Sequence, residues 1–199
     1  MVYVQILTYP HYTLRYKSKP VTRVDAALRK LVAEMFDLMY EASGVGLAGN
    51  QVDLPLRLFV VNMAVEQGQG EELVFINPVL SHLKGNEEAD EGCLSLPELY
   101  GNVVRAKQVH VQAYNLRGEE FSADLDGLSA RVIQHENDHL DGVLFIDRMT
   151  TAGKLAMRES LEEFELEQKS LRDLGQLESD QEIELRLAEW VQKYCQPSE

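Results

Sequence analysis

Between residues 24 and 42, Val24, Leu28, Leu31, Val32, Met35, Phe36 and Met39 recur at spacings of three and four, the stripe of an amphipathic helix. A glycine-rich turn follows, Gly44-Val45-Gly46-Leu47-Ala48-Gly49-Asn50-Gln51. Residues 58–63 and 73–76 read as short buried strands joined through the loop Gln67-Gly68-Gln69-Gly70. Val109, Val111 and Ala113 alternate with His110, Gln112 and Tyr114, the period of a half-buried strand. Arg117-Gly118 and the apolar positions of 121–125 predict a hairpin returning along it. Asp126 is placed to cap a second helix holding Leu128, Val132, Ile133, His135, Glu136, His139 and Leu140, and Gly142 stops it. A third stripe carries Met157, Leu161, Phe164, Leu171 and Leu174 and breaks at Gly175; a last one carries Ile183, Leu187, Trp190, Val191 and Tyr194. Strands cluster before the second helix and helices after it, which predicts an α+β fold and not a βαβ repeat.

Composition narrows the classes of function. A chain of 199 residues that is 45% hydrophobic and 26% charged has the make-up of one domain with a core and an appended segment. Its 33 acidic against 19 basic residues, a net charge of −14, suit it poorly to phosphate backbones, so DNA and other nucleic acids are not expected as substrates. No uncharged apolar run approaches the ~18 residues of a membrane span. Met1-Val2-Tyr3-Val4-Gln5 lacks the basic-then-apolar order of a signal peptide, so none is expected. Two cysteines, Cys93 and Cys195, make no disulfide scaffold, and a cytoplasmic setting is the default.

The chemistry concentrates in His135-Glu136-Asn137-Asp138-His139. Two histidines four apart project from one helix face and suit one metal, while the glutamate between them reaches a water there without ligating. The helix is otherwise apolar, and charged groups buried on it call for a cation. A catalytic site of this kind usually takes a third protein ligand. Gly142 stands where an HExxHxxGxxH sequence has its glycine, but the next ligand position is Phe145, which cannot coordinate. Glu159 is available on the following helix, among Glu162, Glu163 and Glu165, a pattern that reads as a solvated acidic face. Cys93, in Asp90-Glu91-Gly92-Cys93-Leu94-Ser95-Leu96-Pro97, offers a thiolate beside a glycine that lets the backbone come close, with Pro97 expected to end any regular extension. A lone cysteine is elsewhere a small buried hydrophobe, the reading given to Cys195, so spacing alone leaves the third ligand open. His11, His82 and His110 lack ligand-spaced neighbours and read as structural or exposed.

Three segments together resemble one family. Gly44-Val45-Gly46-Leu47-Ala48-Gly49-Asn50-Gln51 is similar to the GxGLAxxQ motif of peptide deformylases, Glu91-Gly92-Cys93-Leu94-Ser95 to their EGCLS motif, and Gln134-His135-Glu136-Asn137-Asp138-His139 to their QHExDH motif. The order matches, Tyr100-Gly101 and Arg105 also resemble the family, and the resemblance spans roughly residues 5–150. Gly49 departs from the usual alanine. The resemblance implies antiparallel sheets around a central helix bearing HExxH, a catalytic domain over 1–150. The chain after about residue 175 exceeds the family's expected length, and the helical stripes and acidic balance of 151–199 predict C-terminal helices that form an acidic extension packed on that domain.

It implies further that Cys93, His135 and His139 bind one divalent metal, Fe2+ in the family's physiological form, with Zn2+, Ni2+ or Co2+ as substitutes. Glu136 then acts as general base and acid, and Gln51 and the backbone N–H of Leu94 stabilise the oxyanion. Gly44, Val45 and Gly46 line the peptide, and Arg105 supports Glu91. The substrate the resemblance implies is an N-formyl-methionyl nascent peptide, with formate and a free amino terminus as products, and the expected setting is a bacterial-type cytoplasm or a processed organellar form. An HExxH zinc endopeptidase using Glu159, and a non-enzymatic binding protein with a structural metal, are the competing readings. The family's nascent substrates bring possible transient contact with the ribosome, yet residues 151–199 hold 12 acidic and 6 basic side chains, so this tail is not expected to dock on RNA. Its last stripe suits packing on the chain's own core.

Overall fold

The structure is a computed structural model and describes residues 5–196. Of the positions read for a leader, 1–5, the first four lie outside the described residues, as does the end of the tail, 197–199. Helix α1, Ala26–Glu41, buries Leu28, Leu31, Val32, Met35, Phe36 and Met39, the predicted stripe, and Asp25 caps it by accepting from Leu28 N–H. The glycine-rich segment is more than a turn: Gly46–Ala48 forms strand β1 and 49–52 a single 3-10 turn. Strands β2, Leu58–Val61, and β3, Leu73–Lys84, follow, then β4, Glu87–Cys93, β5, Leu96–Arg105, β6, Gln108–Tyr114, and β7, Glu120–Asp126.

All strand pairs are antiparallel. Five strands make one sheet in the order β1-β2-β3-β6-β7, and β4-β5 make a separate two-stranded sheet. The mixed helix and antiparallel-sheet architecture expected from the sequence is therefore present. Pro97 does not end the extension: it is the second residue of β5, where its missing N–H is tolerated at a strand start. The ladder instead shifts register between Gly92 and Cys93, which displaces Cys93 from regular pairing.

Helix α2, Gly127–Leu140, packs against β1, β6 and β7. Asp126 occupies its cap position, but its side chain makes no capping hydrogen bond. Gly142 ends the turn after the helix with φ +71°, and its missing Cβ leaves room for the backbone of Arg15. A short α3, Phe145–Arg148, leads to α4, Thr151–Asp173, and α5, Asp180–Tyr194. The α4 stripe is weaker than its sequence suggests, since only Met157 is buried and Leu174 is exposed. On α5 the stripe holds: Ile183, Leu187 and Tyr194 are buried, and Tyr194 joins the core formed by α1, β1 and β2. No described helix is long and apolar enough to cross a membrane.

Candidate active site

Two elements supply the reactive groups. Helical periodicity turns His135 and His139 to one face of α2, and the displaced end of β4 presents Cys93 to the same point. One ligand atom from each of the three lies within 4.8 Å of the others, and Cys93 Sγ is 3.3 Å from His139 Nε2. Among the described residues this is the only such group of three. Glu159 is exposed on α4 and takes no part in it.

The orientation of His135 follows from Glu91, whose Oε2 is 3.0 Å from Nδ1. A carboxylate accepts there, so Nδ1 carries the hydrogen and Nε2 is left for a ligand. Glu91 is buried, and Arg105 grips it by two hydrogen bonds, Nε to Oε1 at 2.6 Å and Nη2 to Oε2 at 2.9 Å. Burial would raise the Glu91 pKa, but hydrogen bonds from His135 and Arg105 outweigh it and pull it down to about 2. For His135 burial opposes the charged form, yet the neighbouring Cys93 thiol and Glu91 carboxylate push its pKa up to about 10. His139 is driven well below its ordinary value, first by burial and then by the positive charges of His135 and Arg105, which keeps it neutral as a ligand must be.

These features fit a transition-metal ion. The donor set is one thiol and two imidazoles, and the three ligand atoms lie within 4.8 Å of one another. Glu136 adds a second sign. It is buried, its Oε2 has no hydrogen-bond partner, and burial raises its pKa to about 7. An orphaned buried carboxylate is costly unless something is meant to meet it.

Glu136 opens onto a cavity of about 680 Å³ lined also by Gly44, Val45, Gly46, Gln51, Cys93, Leu94 and His135. Every expected site residue except Arg105 and His139 lines this cavity, and those two lie behind it on Glu91 and Cys93. Gln51 is 2% exposed; its Oε1 accepts from Ala48 N–H at 2.9 Å, and its Nε2 faces Ser95 Oγ at 3.2 Å and Cys93 Sγ at 3.5 Å. The glycines also meet a packing need. A Cβ on Gly44 would lie 2.8 Å from Leu94 Cδ1, and one on Gly46 would enter the Glu136 carboxyl. At Gly49 a Cβ would come 2.9 Å from the carbonyls of Leu54 and Leu56, so this chain's departure from alanine fits its own loop.

Sequence reasoning missed Arg131, Gln134 and Ser95 as parts of the site, along with the role of Asp138. Arg131 donates to Glu91 Oε1 at 2.6 Å, Asp138 accepts from Arg105 at 2.7 Å and from Arg148, and Gln134 exchanges two hydrogen bonds with the backbone of Ala106. The available signal was helical spacing: Arg131, Gln134 and Asp138 follow each other at three and four residues on the α2 face toward β4-β5.

Comparison with known proteins gives a concordant result. Residues 3–154 match the family model described as polypeptide deformylase. A peptide deformylase of Rhodopirellula baltica is 46% identical over 191 residues, 96% of this chain and 95% of the relative. The chloroplastic/mitochondrial peptide deformylase 1B of Arabidopsis thaliana is 42% identical over 184 residues, 92% of this chain and 66% of the relative. The crystal structure of a plant peptide deformylase, PDF1B, superposes with a TM-score of 0.82 at 43% identity, over 90% of this chain and 97% of that one. With the match running through all three motifs and the fold shared over nine-tenths of its length, this chain belongs to the polypeptide deformylase family.

Proposed function

We infer that this chain hydrolyses the N-formyl group from the terminal methionine of newly made peptides, using one divalent ion held by Cys93, His135 and His139. The carrying observation is an unpartnered, buried Glu136 carboxylate in the wall of a cavity that also receives the Cys-His-His ligand face. When bound, the ion supplies Lewis acidity, lowering the pKa of a water towards ~7 and polarising the formyl carbonyl. Glu136 takes the water's proton and returns it to the amine that leaves, a role suited to a carboxyl that burial holds near neutrality. Gln51 Nε2 and the N–H of Leu94 donate to the oxygen that gains negative charge; the nearness of Nε2 to Cys93 Sγ supports this.

Gly44, Val45 and Gly46 bind the peptide. Strand β1 lies at the sheet edge with β2 on one side only, which supports pairing with an extended chain. We take Fe2+ as the native ion, with Zn2+, Ni2+ or Co2+ as substitutes; a sulfur and two nitrogens suit these and not Mg2+ or Ca2+. The catalytic unit is 1–150, with the HExxH helix α2 between the sheets, and 151–199 is an extension packed on it. The family match ending at 154 and the burial of Tyr194 support that division. The proposed compartment is a bacterial-type cytoplasm, with a processed organellar form as the second reading because of the Arabidopsis relative.

The test is formate release from a formyl-methionyl peptide, measured beside cleavage of an internal bond in an unformylated peptide. Formate without internal cleavage supports the reading, and the reverse would mark an endopeptidase. Metal analysis of protein purified without oxygen identifies the ion.

A further inference from the structure

The ligands of the metal reading come from two separate pieces of the fold, Cys93 from the β4-β5 hairpin and His135 and His139 from α2. Something must hold the two pieces in register before a cation joins them. Arg131 spans this seam from the helix side. Its Nη1 donates to Glu91 Oε1 at 2.6 Å and to the Val103 carbonyl at 3.0 Å, and its Nη2 to the Glu87 carbonyl at 2.8 Å. One guanidinium from α2 therefore touches both strands of the hairpin and the carboxylate that orients His135.

The division of Glu91's oxygens sharpens the point. Oε1 accepts from Arg105 Nε and Arg131 Nη1, while Oε2 accepts from Arg105 Nη2 and lies against His135 Nδ1. With both guanidiniums in place the carboxylate has one orientation, and His135, one helical turn after Arg131, takes its orientation from it. Arg131 is buried, so it is part of the interior and not a free surface charge.

We propose that Arg131 is a positioning residue that preassembles the metal site, docking the Cys93 hairpin on α2 and aiming Glu91 at His135. It lines the cavity but has no direct part in the proton transfers. This rests on the metal reading above, and the two fail differently: an unsubstituted chain that binds no metal overturns that reading, whereas normal metal binding by an Arg131 variant overturns only this inference.

The experiment measures Co2+ and Zn2+ affinity by chelator competition, the visible absorption of the Co2+ form, and kcat and KM of fully loaded protein, for the full chain and for Arg131→Met and Arg131→Lys. Loss of an outer partner of a ligand typically costs about 10- to 100-fold in metal affinity. Arg131→Met is expected to show that loss, a changed Co2+ spectrum and a kcat reduced more than KM is raised. Arg131→Lys keeps the charge but cannot span three acceptors, and is expected to recover part of the affinity. Should Arg131→Met fail to fold, Arg131→Lys carries the same measurements. Affinity within about twofold of the parent and an unchanged spectrum, with only a lowered melting temperature, show a purely structural role and overturn the proposal.

Discussion

The carboxyl group of Glu136 fills the space in which a side chain on Gly46 would begin: a Cβ there would lie 2.8 Å from Glu136 Cδ and closer still to Oε1. The glycine of β1 and the proposed general base of α2 are thus a fitted pair, and the first motif makes room for the third. Gly46→Ala should therefore displace Glu136 while leaving the three proposed metal ligands untouched. A shift of about 1 Å in a reacting group can cost on the order of 100-fold. The expected result is a kcat lower by that order with full metal content; kcat within a few-fold of the parent would show that the carboxyl relaxes without consequence.

Glu136→Gln preserves the shape of the side chain and removes its capacity to take a proton. Metal content should stay at the parent level while kcat falls by roughly 100- to 10,000-fold, the usual worth of a general acid–base step. Turnover within a few-fold of the parent would assign the proton transfer elsewhere.

Cys93→Ala takes away one of three converging ligand atoms, whereas Glu159→Ala removes an exposed carboxylate on α4. Elemental analysis should show depleted metal in the first and parent-level metal and activity in the second. Equal loading of the two variants would refute the ligand set.

Gln51→Leu removes a donor from the end of the cavity at Cys93. An interaction made mainly in the transition state appears in kcat, and loss of one such donor costs on the order of 100- to 1,000-fold. A change confined to KM would place Gln51 in ground-state binding of the peptide.

The periodic parts of the fold were legible because burial on one face leaves a trace. The α1 stripe and the alternation of Val109, Val111 and Ala113 match buried positions. The β4-β5 hairpin left no such trace. Its first strand, Glu87-Glu88-Ala89-Asp90-Glu91-Gly92-Cys93, is mostly acidic, and it is held by pairing to β5 and by arginines from β5 and α2. The pairing strand follows directly, but a mostly acidic stretch shows no apolar alternation, and Arg131 stands 40 residues from Glu91, outside any local pattern. Strand β3 was read too short for a related reason: Asn77, with φ +52°, and Pro78 interrupt the alternation, and the strand continues past them through a bulge. At the site, motif residues were legible through their chemistry. Arg131 was not, because an isolated arginine on a helix usually marks a solvated face, and only the hairpin packed over it makes it a buried donor.

The tail separates a packing role from a docking role. Tyr194 is fully buried in the core shared with α1, its hydroxyl donates to Asp25 at 3.0 Å, and its carbonyl accepts from Thr22 N–H at 2.7 Å. Asp25 in turn caps α1, the helix that leads into the Gly44 loop. Arg186 adds an ion pair to Asp53 at 2.6 Å, next to the 3-10 turn that carries Gln51. Helix α5 thus braces two segments that feed the cavity without entering it. Emptying a buried aromatic site costs about 3–5 kcal/mol, so Tyr194→Ala should lower the melting temperature clearly while metal content is retained. Deleting residues 176–199 should do the same to a greater degree. The segment 151–199, with 12 acidic and 6 basic side chains, is expected to be repelled by phosphate backbones, so ribosome co-sedimentation across a salt series should be the same for full-length and shortened protein. Salt-sensitive binding that disappears with residues 176–199 would overturn the packing role in favour of docking.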